Sequence, residues 1–245
     1  MFTKKGNVRR NVLILALFTS FLFYGCASGR YIEKPETPPP HLGISSQDNN
    51  LNVSIDHVIV TNGPGSWVKD AKWDEYIVTF QNISDKPVSV QSVHLIDPRG
   101  LYINPGLDPF QVEKESTSLA KAYADTGIHV VAGAAGVAAG VVGVYFPLIG
   151  LPAAMMLGGS SLADARAEKN ILLEFQKRQF KPFTFSTNAQ LTRSSIFPII
   201  PNPKVLVVDY RVGNEMKTLE VSLEKLAGLH VTPQSKESQP DKEKE

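Results

Sequence analysis

Apolar and polar residues alternate in two separate stretches of this chain, and between them the alternation stops. Leu51, Val53 and Ile55 take every second place, Val58-Ile59-Val60 follows, and Tyr76, Val78 and Phe80 repeat the pattern. A period of two is the signature of a strand with one buried face. Asn82 to Pro87 and Asp97-Pro98-Arg99-Gly100 read as turns, because Asn, Asp, Ser, Pro and Gly bend the chain by local hydrogen bonds or special φ. Val88 and Val90 lie on one phase while Val93 and Leu95 lie on the other, which predicts a bulge near Gln91 or Ser92. After residue 180 the pattern returns. Phe183 and Phe185 open it, Leu206, Val208, Tyr210 and Val212 alternate, and Leu219, Val221 and Leu223 answer them across Gly213-Asn214, a two-residue hairpin connection.

Between the halves the period changes. Residues 126–163 contain no Asp, Glu, Lys or Arg. Small residues recur at Ala132, Gly136 and Gly140, a four-residue step that places them on one helical face. Pro147 and Pro152 break the segment into two arms. Ala167, Ile171 and Phe175 then follow at helical spacing, and a polar stretch from Glu113 to Asp125 precedes the first arm. The expectation is a helical hairpin over 113–180 with charged bases and an apolar tip. Its first arm, Ile128 to Tyr145, would be about 27 Å long as a helix and the second, Ala153 to Leu162, about 15 Å. Such arms suit shallow insertion into a membrane or packing against another protein better than two full spans. Packing onto the chain's own β core is the third reading.

Composition changes the picture mainly at the N-terminus. Lys4, Lys5, Arg9 and Arg10 precede an uncharged apolar run from Val12 to Phe23, too short to span a bilayer and of the length found in secretory signals. The run ends in Phe23-Tyr24-Gly25-Cys26, which resembles the lipobox of bacterial lipoproteins, with cleavage between Gly25 and Cys26. Phe23 and Tyr24 are bulkier than that pattern usually carries. The resemblance implies lipid on Cys26, the single cysteine of the chain, and a membrane partner through it. By the same resemblance, Ala27 looks like an outer-membrane sorting signal where the organism has an outer membrane. Residues 26–50, with Pro35, Pro38, Pro39 and Pro40, read as a flexible tether reaching on the order of 80 Å. The apolar segment resembles the glycine-zipper module of some small outer-membrane lipoproteins on Ala132, Gly136 and Gly140. It departs from that family in having fewer glycines, more Val and Met, and the two prolines.

Charge and motif content narrow the chemistry. The whole chain is formally +1, and removal of the four positive charges of the signal leaves −3. No basic patch offers the electrostatic footprint of a nucleic-acid binder. With Cys26 lipidated no thiol remains for disulfide or redox chemistry. His41, His57, His94, His129 and His230 are not at metal-ligand spacing, so the expectation is no metal, no cofactor and no catalytic residue. His57 and His94 fall in strands, where a half-buried, hydrogen-bonded imidazole is expected. Ser66, in Gly63-Pro64-Gly65-Ser66-Trp67, is not a nucleophile elbow. That loop, with Trp67 and Trp73, is the candidate binding loop, because exposed aromatics favour interfaces.

The fold expected is mainly β: an immunoglobulin-like β-sandwich with halves at 51–112 and 181–232, interrupted by the hairpin and ending in a disordered tail at 233–245. Two small β domains flanking a helical linker are the other arrangement. The function expected is non-enzymatic. It is an envelope lipoprotein that self-associates, forming a homo-oligomer, or binds an envelope protein partner or the membrane through its hairpin. A monomeric module binding cell-wall material or polysaccharide is the second reading, and a hydrolase assembled from distant residues the third.

Overall fold

The computed structural model describes residues 29–134, 146–147 and 162–231. Cys26, Gly25, Gly136, Gly140 and the tail at 233–245 lie outside the described residues. Twelve strands and two α-helices are present among the described residues. The chain is mainly β, with every strand pair antiparallel.

One sheet takes β1 (Ile44–Gln47), β2 (Leu51–Ile59), β3 (Trp73–Asn82) and β9 (Gln190–Pro198) in the order β1-β2-β3-β9. The second takes β4 (Val88–Ile96), β5 (Tyr102–Ile103), β8 (Phe183–Phe185), β10 (Val205–Val212) and β11 (Glu215–Ser222). Its order is β11-β10-β4, with β5 and β8 sharing the far edge of β4. Each sheet therefore draws strands from both halves of the sequence, which excludes two separately folded β units. A single cluster of buried side chains joins the sheets. It includes Val53, Ile55, Tyr76, Val78 and Phe80 from one and Val90, Leu95, Leu206, Val208 and Tyr210 from the other.

Turn chemistry follows the sequence closely. Asp209 pairs with Ser92 and Tyr210 with Val90, so Gln91 is the extra residue of a bulge and the phase of β4 switches there. Val212 pairs with Glu215 across Gly213-Asn214, and Gly213 takes φ +59°, a value glycine adopts without steric cost. At the end of β4, Asp97 Oδ1 accepts the N–H groups of Arg99 and Leu101 at 2.8 and 2.9 Å and closes the predicted turn.

A third layer covers the outer face of the β3–β9 pair. Helix α1 (Pro109–Ala124) starts on Asp108, whose carboxylate caps the N–H groups of Phe110 and Gln111, with Pro109 at the first helical position. Helix α2 (Leu162–Arg178) lies beside it. Their buried side chains Val112, Ile171 and Phe175 meet Trp73, Trp67 and Ile196 in a second apolar cluster. Ser116 fastens α1 to the sheet: its hydroxyl donates to the Lys72 carbonyl and accepts from the Ile199 N–H at 2.9 Å.

Two expectations are corrected here. The first arm of the apolar segment does not begin as a helix. Gly127 (φ +83°) ends the helical run, and β-branched Val130 and Val131 extend as β6 (Val130–Ala134), with Gly133 at φ +97°. β6 pairs with β12 (Leu229–Val231) and with the two-residue β7 (Phe146–Pro147). Ala132 is a buried strand residue in the main core, not a member of a helical small-residue stripe. Nor is the segment after residue 28 a free tether. Residues 29–42 form a strap docked on the body, and Ile44–Gln47 is a strand of the first sheet. Proline does not forbid this, because an extended strap needs few N–H donors of its own.

Candidate functional site

The loop between β2 and β3 is built from inside. Thr61 donates to the Ala71 carbonyl, and Asn62 and Asp70, both at positive φ, exchange hydrogen bonds of 2.7 and 2.8 Å that close the loop neck. Trp67 and Trp73 do not project from it. They are 3% and 5% exposed, meet at a tilt of 43° with ring centroids 5.8 Å apart, and Trp73 meets Phe175 of α2 edge-on at 5.7 Å. The candidate binding role of these two rings is therefore corrected: they are packing residues beneath α2. Their hydrophobic area outweighs any interface use once a helix is available to cover it.

The strap runs along this loop. Ile32 N–H donates to the Trp67 carbonyl, Lys69 N–H to the Arg30 carbonyl and Gly65 N–H to the Thr37 carbonyl, at 2.8, 2.7 and 2.7 Å. Arg30 also reaches the Lys69 and Asp70 carbonyls and pairs with Glu113 of α1. Strap and loop together bound an open groove of about 670 Å³ rimmed by Lys34, Glu36, Thr37, Pro64 and Lys69. It offers two ammonium groups and one carboxylate but no aromatic face, so it lacks the stacking platform that sugar rings use. A narrower groove of about 410 Å³ lies on the other side of the strap, between Tyr31 and Glu33 and the α2 residues Arg166, Asn170, Leu173 and Lys177.

Beneath the loop sits a buried charge. The carboxylate of Glu75, 1% exposed, accepts from Trp67 Nε1 at 2.8 Å and Arg178 Nη1 at 3.1 Å, and from the Ser194 hydroxyl. Arg178 also pairs with Glu174 at 2.8 Å and lies over the Trp67 ring. Burial works against the guanidinium charge, but the carboxylates of Glu75 and Glu174 prevail and hold Arg178 above its ordinary pKa. Every partner is satisfied, so the cluster locks α2 to the sheet.

A second polar group lies in the core at the end of β3. His230, fully buried at φ +58°, places Nε2 2.6 Å from Asp74 Oδ2 and Nδ1 3.1 Å from the Val131 carbonyl. Ser195 is also buried. Its strand pairing opposite Tyr76 puts it on the same sheet face as Asp74. Serine, histidine and aspartate in one neighbourhood suggest a hydrolase, but the geometry does not make a triad. Both imidazole nitrogens are engaged by acceptors other than Ser195, whose hydroxyl has no hydrogen-bond partner, so no base addresses it. No signal in the sequence pointed to this pairing, which the fold makes across 156 residues.

His41, His57 and His94 make structural contacts. His57 Nδ1 lies 2.9 Å from the Pro40 carbonyl and helps hold the strap, with His41 edge-on at 5.7 Å. His94 is half-buried between Asn104 and Asp209. No group of three His, Cys, Asp or Glu side chains among the described residues is arranged to hold a metal ion. None of the helices among them is long and apolar enough to cross a membrane.

No family model matches the chain, and no curated protein matches it. Among solved structures it is similar to the crystal structure of the yjhA protein from Bacillus subtilis, with 12% identity and a TM-score of 0.35, over 76% of this chain and 99% of that one.

Proposed function

We propose that this chain is a lipid-anchored envelope protein with a non-enzymatic structural or interaction role, cleaved before Cys26 and built on an immunoglobulin-like β-sandwich. The two antiparallel sheets with a common core and interleaved halves support the sandwich. The observation that carries the functional reading is the docked strap. Proline-rich chain just after a lipidated cysteine has no core of its own to join, yet here it is bonded to the body from Arg30 onward, as an anchor that must transmit position requires. The uncharged chain between β6 and α2 is the candidate element for self-association or membrane contact, with an outer membrane as the site where the organism has one. A small polar ligand in the 670 Å³ groove is the second reading, favoured by Lys34 and Lys69 on its rim.

The test is the intact mass and membrane partition of the full chain made in a bacterium, as wild type and as Cys26→Ala. The wild type is expected to begin at Cys26 and carry acyl chains, and Cys26→Ala to retain its signal peptide or lack acyl mass. An unacylated wild-type chain would overturn the reading. Molar mass by light scattering, with and without Gly136→Leu, then decides self-association. The wild type is expected to form a defined oligomer that the variant loses, and a monomer in both cases removes the association role.

A further inference from the structure

We infer that one face of α2, presenting Arg166, Lys169, Leu173 and Lys177, rests on the phospholipid surface that holds the lipid of Cys26; this builds on the lipid-anchor reading. The first argument is reach. Gly29 is fixed against α2: a Cβ added to it would stand 3.1 Å from the Ala167 Cβ. Three residue steps separate Cys26 from Gly29, a span of at most about 11 Å. A free tether of residues 26–50 would allow the body to stand far from the bilayer. The docked strap does not, and the N-terminal half of α2 is among the parts of the body held next to the anchor, with the Lys69–Asp70 turn and Glu113 beside it.

The second argument is what that helix presents. At 100° per residue Arg166, Lys169, Asn170, Leu173 and Lys177 fall within one stripe about 100° wide, away from buried Ile171 and Phe175. Leu173 is 46% exposed, and the three cations around it are exposed as well. A large apolar side chain ringed by long cationic ones is the composition of a helix face lying at a headgroup layer. The acidic neighbours do not cancel it. Glu168 lies on the other side of the helix, and Glu174 is engaged by Arg178 and Lys177, so Arg166 and Lys169 carry the net positive charge of the face. Glu33 of the strap is the one acidic side chain lining the adjoining 410 Å³ groove without such a pairing in view, and that groove leaves room for a headgroup between strap and helix.

Layer order makes the orientation checkable. The helices cover the outer face of the first sheet, so β11, in the second sheet, lies on the far side of the molecule from α2. Cys26 is the only cysteine, and once it is acylated an introduced cysteine is the sole free thiol. The experiment labels Asn170→Cys or Met216→Cys of the lipidated full chain with an environment-sensitive fluorophore. The protein is then reconstituted on vesicles of phosphatidylethanolamine and phosphatidylglycerol. The Asn170 label is expected to shift to the blue and lose its quenching by aqueous iodide, while the Met216 label does neither. Adding Arg166→Glu and Lys169→Glu is expected to restore quenching at Asn170 with acylation unchanged. Acylated protein whose Asn170 label stays fully quenched overturns this inference and leaves the anchor standing. Absence of acyl mass overturns both.

Discussion

Glu75 is the residue on which the helical layer depends most, because its one buried carboxylate answers a buried indole, a part-buried guanidinium and a hydroxyl at once. Glu75→Leu removes the shared acceptor and leaves Arg178 part-buried beside Glu174 alone. The expected loss is about 1–3 kcal/mol in urea unfolding, the cost of leaving the buried indole N–H without its acceptor, because Arg178 keeps Glu174 and some access to water. Asp97 behaves differently. Burial pushes its carboxyl up, but the Tyr123 hydroxyl, the Leu101 N–H and Arg99 together outweigh burial and hold it below the ordinary value of 3.8. The native state therefore takes up that proton at lower pH than the unfolded chain. The stabilisation is complete above the ordinary carboxylate value and is lost as pH falls through and below it. Asp48, held down by Tyr210 and two backbone N–H groups against its own burial, adds to the same limb. Urea midpoints measured from pH 6 down to pH 2.5 are expected to fall less steeply in Asp97→Asn than in the wild type. Trp67 shows where residue-level reading stops. A tryptophan beside Gly and Pro has the composition of an exposed loop, and nothing local announces a helix about a hundred residues later that covers it.

Elements were legible where a single period governs them. Alternation placed β2, β3, β4, β10 and β11, the phase switch placed a bulge at Gln91 or Ser92, of which Gln91 is the extra residue, and the turn residues at 97–100 and 213–214 fell where the strands turn. The reading failed at β6. An Ala/Gly/Val run has no polar face to distinguish periods, and the choice of strand is made by the backbone of Leu229–Val231, which no window of sequence around residue 130 contains. The strap was missed for a similar reason, since its bonds run from backbone to backbone and leave no side-chain pattern. Ile32→Pro removes the donor to the Trp67 carbonyl. It is expected to cost about 1 kcal/mol and to make residues 29–42 the first site of proteolytic nicking, with near-ultraviolet circular dichroism unchanged. At α1 the critical neighbour is Gly106, where a Cβ would stand 1.7 Å from Val112 Cγ2. Val112 is fully buried and has no long side chain to swing away. Gly106→Ala is expected to lower stability by about 1–3 kcal/mol, the usual penalty of overpacking, read as a lower urea midpoint.

At the scale of the whole molecule the order of pairing matters as much as its pattern. β3 takes β2 on one side at once, from adjacent sequence, but its other side waits for β9, with Gln81 pairing Gln190. About a hundred residues must follow before β9 is available, whether the chain emerges from the ribosome or from a membrane. During that time the N-terminal half exposes an open, apolar strand edge of the kind that recruits other chains into aggregates. High contact order slows closure further. Until β9 arrives that edge is open to other chains, so the yield should respond to how quickly the segment between the halves clears. The interleaving that makes the finished domain one unit is therefore also its point of vulnerability during biogenesis.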